Sequence, residues 1–425
     1  MPYEFLRWQA AEDRASEIAQ AYGFRPLRTP HIEQAEIFRP TLGETSDIVE
    51  KQMYSFKTRG GDNLVLRPEW TVPAVRAYFE HGMHSWPQPV MLYTHGSFFR
   101  HESPQKGRFR EFGQFDLEIL GDEAAFSDAL IIRVICLIFQ EIGLKNFITH
   151  INTLGDKECR PEFRKELVAY YRRKINSLCQ DCKRRLKENP LRLLDCKQPS
   201  CLELRNEAPK MIDFSCQSCR SHFKSVLEFL DELAIPYFLN PHLVRGLDYY
   251  SRTVFEILSE PAAREKKDAE EQTPALPLAL ASGGRYDYLA ENLGQKKLFG
   301  VGGAIGLDRL MDELTARKVE VVKIKKPDIS LIQIGPQAKK TTLALFEVLR
   351  KAKFNIAQSF AKDNLRQQLY LADKSGSSAA LIIGQKEALD GTIIVRDMIS
   401  GSQETILQDK IVDHLKKKLK NRQKP

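Results

Sequence analysis

The sequence predicts an α+β fold that carries a helical insertion and ends in a separate α/β domain. Three stretches predict it. From Phe98 to Gly121, FFRHESPQKGRFREFGQFDLEILG, two extended arms flank a polar turn, with Ser103-Pro104 and Lys106-Gly107 as the turn chemistry. Between Pro161 and Gly246 the tract becomes helical and rich in cysteine. Beyond a basic linker ending in proline, Lys323 to Pro327, strand and helix patterns alternate over roughly one hundred residues.

Composition sets the outer limits. A chain of 425 residues has room for two or three domains, and 42% hydrophobic residues can fill their cores. No run of about 18 apolar residues is present, so no membrane span is expected. The start, MPYEFLRWQ, carries no signal peptide and lies inside an amphipathic helix. A cytoplasmic location follows, and the eight cysteines are expected to be thiols instead of disulfides. A net charge of +8 permits a polyanionic partner, but a slightly basic enzyme would carry the same charge.

Taken in order, Glu4 to Tyr22 predicts a helix, with Phe5, Trp8, Ala11, Ala15, Ile18, Ala19 and Tyr22 on its apolar face and Gly23 as its stop. Leu64–Leu66 reads as a short strand. Arg67-Pro68-Glu69-Trp70-Thr71 then leads into a helix from Val72 to Glu80, where Thr71 is either a cap or a ligand-binding hydroxyl. The second arm of the hairpin alternates with period two. Phe115, Leu117 and Ile119 share an apolar face; Gln114, Asp116 and Glu118 share a polar one, facing water or flooring a pocket. A helix from Ala124 to Ile142 and a strand from Phe147 to Ile151 follow.

Cys179-x2-Cys182 and Cys216-x2-Cys219, with Cys196 and Cys201 between, have spacings that suit a structural zinc ion held by the outer four thiolates, or equally a set of reduced thiols. LVRGLDYY places Arg245 on a tight turn, with Tyr249 and Tyr250 after it. Ser259 to Leu276 is a charged loop. Gly283-Gly284 precedes Arg285 and Tyr286. Gly302, Gly303 and Gly306 run into a helix bearing Arg309. In the last domain, strands are expected at Ile329–Ile334, Asn355–Phe360, Ala379–Ile383 and Thr392–Val395. Helices are expected at Thr341–Ala352, Leu365–Ala372 and Leu407–Leu419.

FRHE, GRFREF and GQFDLE together resemble motif 2 of the class II aminoacyl-tRNA synthetases, and the histidyl-tRNA synthetases in particular. The region around Pro30 resembles motif 1, and FGVGGAIGLDRLMDEL resembles motif 3. LVRGLDYYSRTVFEI and GGRYD resemble segments specific to the histidyl family. The resemblance spans nearly the whole chain. It implies an antiparallel-sheet catalytic domain at 1–326 with a helical insertion at about 161–242, then an anticodon-binding domain at 327–425. It further implies a homodimer that uses ATP with Mg2+ to join L-histidine to tRNA(His).

By the same resemblance, Arg100, Arg245 and Arg309 are catalytic. Arg100, Arg108, Gly306 and Arg309 meet ATP. Glu69, Trp70, Thr71, Gln114, Glu118, Tyr249, Tyr250 and Tyr286 form the histidine site. Cys179, Cys182, Cys216 and Cys219 are the candidate metal ligands. Two departures stand out: Trp70 is larger than usual, and Ala281-Ser282 replaces a glycine or cysteine. The alternative is a catalytically silent histidine-binding regulatory paralogue of histidine biosynthesis; such paralogues erode the Arg245 segment and drop the last domain, both present here.

Overall fold

A computed structural model describes residues 1–43, 46–103, 107–260, 279–322 and 326–422, with side chains to 418. The hairpin tip 104–106, most of the expected Ser259–Leu276 loop, the start of the basic linker and the last tail residues lie outside the described residues. The chain divides into two units, Met1–Val322 and Lys323–Pro425.

The first unit is built on an eight-stranded sheet. Its order is Arg25–Pro26, Val90–Phe99, Glu111–Leu120, Gly300–Gly306, Ala279–Arg285, Ser251–Ser259, Phe147–Thr153, Tyr237–Leu239. The six central strands pair antiparallel and only the two edge strands pair parallel. The long hairpin supplies the second and third strands of this order.

One face of the sheet is covered by the helix Ala125–Ile142, which ends at Gly143 in the left-handed conformation. Ile131, Ile132, Val134, Ile135, Ile138 and Phe139 of this helix are fully buried, against Phe115, Leu117 and Ile119. The first helix, Pro2–Ala21, packs on the same core through Ala11, Ala15, Ile18 and Ala19. The expected apolar face fails at its start, where Phe5 is 68% exposed. A small sheet of Ile32–Gln34, Asn63–Leu66 and Ser55–Lys57 stands apart and leaves Ile32 and Phe56 exposed.

The helical tract is confirmed as helices Arg160–Arg173, Gln180–Glu188, Pro199–Asn206, Met211–Phe214 and Gln217–Glu232. The second unit has a mixed sheet in the order Ile356–Gln358, Ile329–Gln333, Ala379–Ile383, Thr392–Asp397, Gln403–Leu407. The expected helix from Leu407 is corrected: Leu407 ends an exposed edge strand and the helix is Ile411–Arg422. That strand escaped notice because its residues are largely exposed and show no apolar alternation. A short helix, Gln385–Asp390, was also missed; Gly384 and Gly391 bracket it.

Candidate active site

The polar face of the second hairpin arm is not in water. Glu118 is 2% exposed and Asp116 is 5% exposed. Thr71 donates to Glu118 Oε1 at 2.6 Å, and the Tyr286 hydroxyl donates to Oε2. Burial pushes the Glu118 carboxyl up to about 8, although both hydroxyl donors work to lower it. Asp116 rises well above the carboxylate range through burial, then through repulsion from Glu118 and Glu69.

Gly302 lies directly across from Glu118 in the register. A methyl group on it would fall 1.7 Å from Glu118 Oε2, and one on Gly303 would meet Ile135 and Ile131. The missing side chains of these two glycines thus admit protein atoms. Gly306 is different: nothing lies closer than 3.6 Å to the place a Cβ would take.

Glu69 settles the choice left open at the next helix. Its carboxylate accepts from Thr71 N at 3.0 Å and Val72 N at 2.9 Å, so Glu69 caps the helix Thr71–Glu80. The Thr71 hydroxyl is thereby released to Glu118. Tyr249 donates to Glu69 Oε2 at 3.3 Å. Tyr249 lies tilted against Tyr250 with ring centroids 4.6 Å apart and meets Tyr286 edge-on at 5.9 Å. Trp70 is buried in the core, and its indole N–H has no partner among the described residues. Gln114 Oε1 and Asp116 Oδ2 are likewise buried acceptors without a donor among the described residues. Orphaned acceptors of this kind are rare in a closed core and suit a cationic ligand.

The arginines gather beside these acids. Arg100 donates from Nε to Pro68 O at 2.9 Å and lies 5.2 Å from the Phe112 ring. Arg245 is held by Glu256, and by Ser282 Oγ at 2.7 Å. Arg309 donates to the carbonyls of Gly107 and Ala279, both at 3.0 Å. Arg108 pairs with Glu102 at 3.1 Å. Burial draws Arg100 below the usual guanidinium value, Glu102, Glu69 and Tyr249 oppose it, and Arg245 adds to it. Arg309 is drawn down by burial, then by Arg108 and Arg100. Cations that repel one another at this range belong to one site, and that site is ready for a polyanion.

Glu256 and Ser282, which fix Arg245, were missed by sequence reasoning. Asp116 was seen on the polar face but given no role. The alternation of Ser251–Ser259 was the available signal for Glu256. The carbonyls that hold Arg100 and Arg309 leave no signature in a sequence.

A cavity of about 480 Å3 opens beside Arg245 and Tyr250, walled on the insertion side by Arg160, Asn189 and Arg192. Arg192 donates to Gly246 O at 2.9 Å and pairs with Asp47 at 2.5 Å, while Asn189 donates to Asp248 at 2.7 Å. The insertion therefore grips the Arg245 loop directly.

The cysteine expectation is corrected in its grouping. Cys179 and Cys182 gather with Cys196 and Cys201, whereas Cys216 and Cys219 gather with Asp156 and Cys159. Cys159 lies just outside the tract, where spacing within the tract could not reveal it. His222, three residues past Cys219, belongs to neither group and faces Asp128 at 3.3 Å.

Residues 1–310 match the family model for histidyl-tRNA synthetase, and residues 328–418 match that of an anticodon binding domain. The chain belongs to the histidyl-tRNA synthetase family. It is 39% identical over 411 residues to a histidine–tRNA ligase of Thermodesulfovibrio yellowstonii, covering 97% of this chain and 94% of the relative. It is 38% identical over 404 residues to one from Natranaerobius thermophilus, covering 95% and 93%. The crystal structure of apo histidyl-tRNA synthetase from S. aureus superposes with a TM-score of 0.79 at 31% identity, over 98% of this chain and 97% of that one. Membership in the family agrees with the antiparallel core and the separate last domain. Among the described residues, no helix is long and apolar enough to cross a membrane.

Proposed function

We propose that this family member is a histidine–tRNA ligase whose site divides into an acidic half for the amino acid and a basic half for ATP. The observation that carries this is the buried Glu118, with Thr71 and Tyr286 on its two oxygens and the arginine cluster beside it. Glu118 accepts an imidazole N–H of histidine, and Tyr250 pairs with the other ring nitrogen. Glu69, Thr71 and Gln114 hold the α-ammonium, Tyr249 orients Glu69, and Tyr286 packs on the substrate. Trp70 supports this wall from the core.

The histidine carboxylate is already ionised, so activation needs little proton chemistry. It attacks the α-phosphorus, pyrophosphate leaves, and histidyl-adenylate forms. Arg100 and Arg245 stabilise charge at the α-phosphate; Arg309 and Arg108 hold the outer phosphates, with room at Gly306 for the nucleotide. The acyl group then passes to the terminal ribose of tRNA(His). Apart from the two thiol clusters, no described group of three or more carboxylate, cysteine or histidine ligands is close enough to cage a metal. Mg2+ would come bound to the nucleotide's own oxygens and would neutralise phosphate charge there.

The residues 1–326 act as the catalytic domain and 327–425 as the anticodon reader. The exposed Ile32 and Phe56 support a homodimer formed near the Pro30 segment. The working compartment is the cytoplasm. Histidine-dependent ATP–pyrophosphate exchange tests the reading, with proline, threonine and glycine as controls. Histidine binding without exchange would select the silent paralogue instead.

A further inference from the structure

We infer that the helical insertion binds two zinc ions, one in a four-thiolate site of Cys179, Cys182, Cys196 and Cys201, the other in a mixed site of Asp156, Cys159, Cys216 and Cys219. In each cluster the four candidate ligand atoms lie within 4.8 Å of one another. Zinc–sulfur bonds of about 2.3 Å in a tetrahedron place sulfurs roughly 3.8 Å apart, and mixed sulfur–oxygen edges near 3.5 Å. The Cys179–Cys196 and Cys159–Cys219 sulfur separations are 3.9 and 3.7 Å. Asp156 Oδ1 lies 3.2 Å from Cys159 Sγ, and its Oδ2 lies 3.7 Å from Cys216 Sγ. The sulfur separations match tetrahedral edges and lie well beyond the disulfide bond length of about 2.05 Å.

The backbone is arranged for metal-bound sulfur. Cys179 N points at Cys201 Sγ at 3.4 Å, Asp156 N at Cys159 Sγ at 3.3 Å, and Cys219 N at Cys216 Sγ at 3.5 Å. Such N–H donors orient ligands and spread thiolate charge. Cys179 and Cys216 each cap a helix, so both Cys-x2-Cys pairs sit where helix dipoles favour anionic sulfur. Three cysteines and an aspartate also form a closed set, without the open position that a catalytic zinc needs.

The two sites do different mechanical jobs. The mixed site joins the loop after the sheet strand Phe147–Thr153 to the start of the last insertion helix, and so pins the insertion to the sheet. The four-thiolate site closes around the segment that carries Asn189 and Arg192, whose side chains hold the Arg245 loop.

Full-length protein, purified without added metal under reducing conditions, is assayed by elemental mass spectrometry. Two equivalents of zinc per chain are expected. Fewer than two, or mass-spectrometric detection of disulfides among these seven cysteines, overturns the inference. Cys196→Ser and Cys159→Ser are each expected to lose one equivalent; retention of both overturns the corresponding ligand set. Should a variant fail to fold, cobalt exchange into the intact chain decides. Intense visible bands of tetrahedral cobalt–thiolate, titrating to two equivalents, support the sites, and octahedral spectra refute them. None of these readouts depends on aminoacylation.

Discussion

Replacing Glu118 by Gln isolates the charge at the heart of the amino-acid site. Glutamine keeps the size and can still accept from Thr71 or Tyr286, but it offers no carboxylate to an imidazole N–H. A hydrogen bond to a charged group contributes about 1.5–3 kcal/mol, so histidine should bind roughly 10- to 150-fold more weakly. The pH dependence sharpens the test. Burial raises the Glu118 carboxyl from 4.5 to about 8, so the empty site holds a proton at neutral pH and must release it to receive histidine. The advantage of wild type over E118Q should therefore grow between about pH 7 and 8.

Stability moves the other way. A carboxyl raised in the folded state binds more protons folded than unfolded, so folding weakens as pH rises from 4.5 to about 8. The slope is about 1.4 kcal/mol per pH unit, and E118Q should lack it. Histidine-dependent pyrophosphate exchange and urea unfolding at a series of pH values supply both readouts. A histidine KM within about threefold of wild type would refute the role given to Glu118.

Other sites carry further expectations. Arg245→Ala should lower the rate of adenylate formation by about 10²- to 10³-fold, since one preorganised donor is lost and Glu256 is left without its partner; single-turnover kinetics check this. Asp128 is held at about 2, where burial alone would raise it, by Arg285 and by His222. Asp128→Asn should cost about 3–5 kcal/mol in unfolding experiments above pH 4, because it leaves Arg285 buried with less compensation. Arg192→Ala should slow activation by about tenfold or more through misplacement of the Arg245 loop, with ATP affinity little changed. Gly302→Ala should abolish histidine binding, and calorimetry would detect any that survives.

Much of this was visible before any coordinates. Period-two alternation in GQFDLEIL was enough to put Glu118 and Gln114 on one face, because the sheet's two sides follow from backbone geometry alone. The pairing of thiols was not visible. Zinc spacing rules describe ligands close in sequence, and Cys159 and Asp156 meet Cys219 and Cys216 only after the insertion folds back on its own root. The glycines of the third motif show a related limit. A small residue in a strand announces a close approach but not what approaches, and at Gly302 it is Glu118. Resemblance supplied the roles of Arg100 and Arg309, whose anchoring carbonyls any sequence could provide.

The site's like charges explain why it orients its substrates as proposed. Glu69 and Glu118 raise the proton affinity of Asp116, and Glu69 that of Glu118, on one side, while Arg100, Arg108, Arg245 and Arg309 include pairs that repel on the other. Neither half can neutralise itself without protons or a ligand. A zwitterion with a basic side chain relieves the acidic half with its ammonium and imidazole, and turns its carboxylate toward the arginines. A triphosphate relieves those arginines, and its α-phosphorus then lies next to the carboxylate. A side chain without an N–H would leave Glu118 with only its two hydroxyl donors and no cationic partner, so the site discriminates against the wrong amino acid.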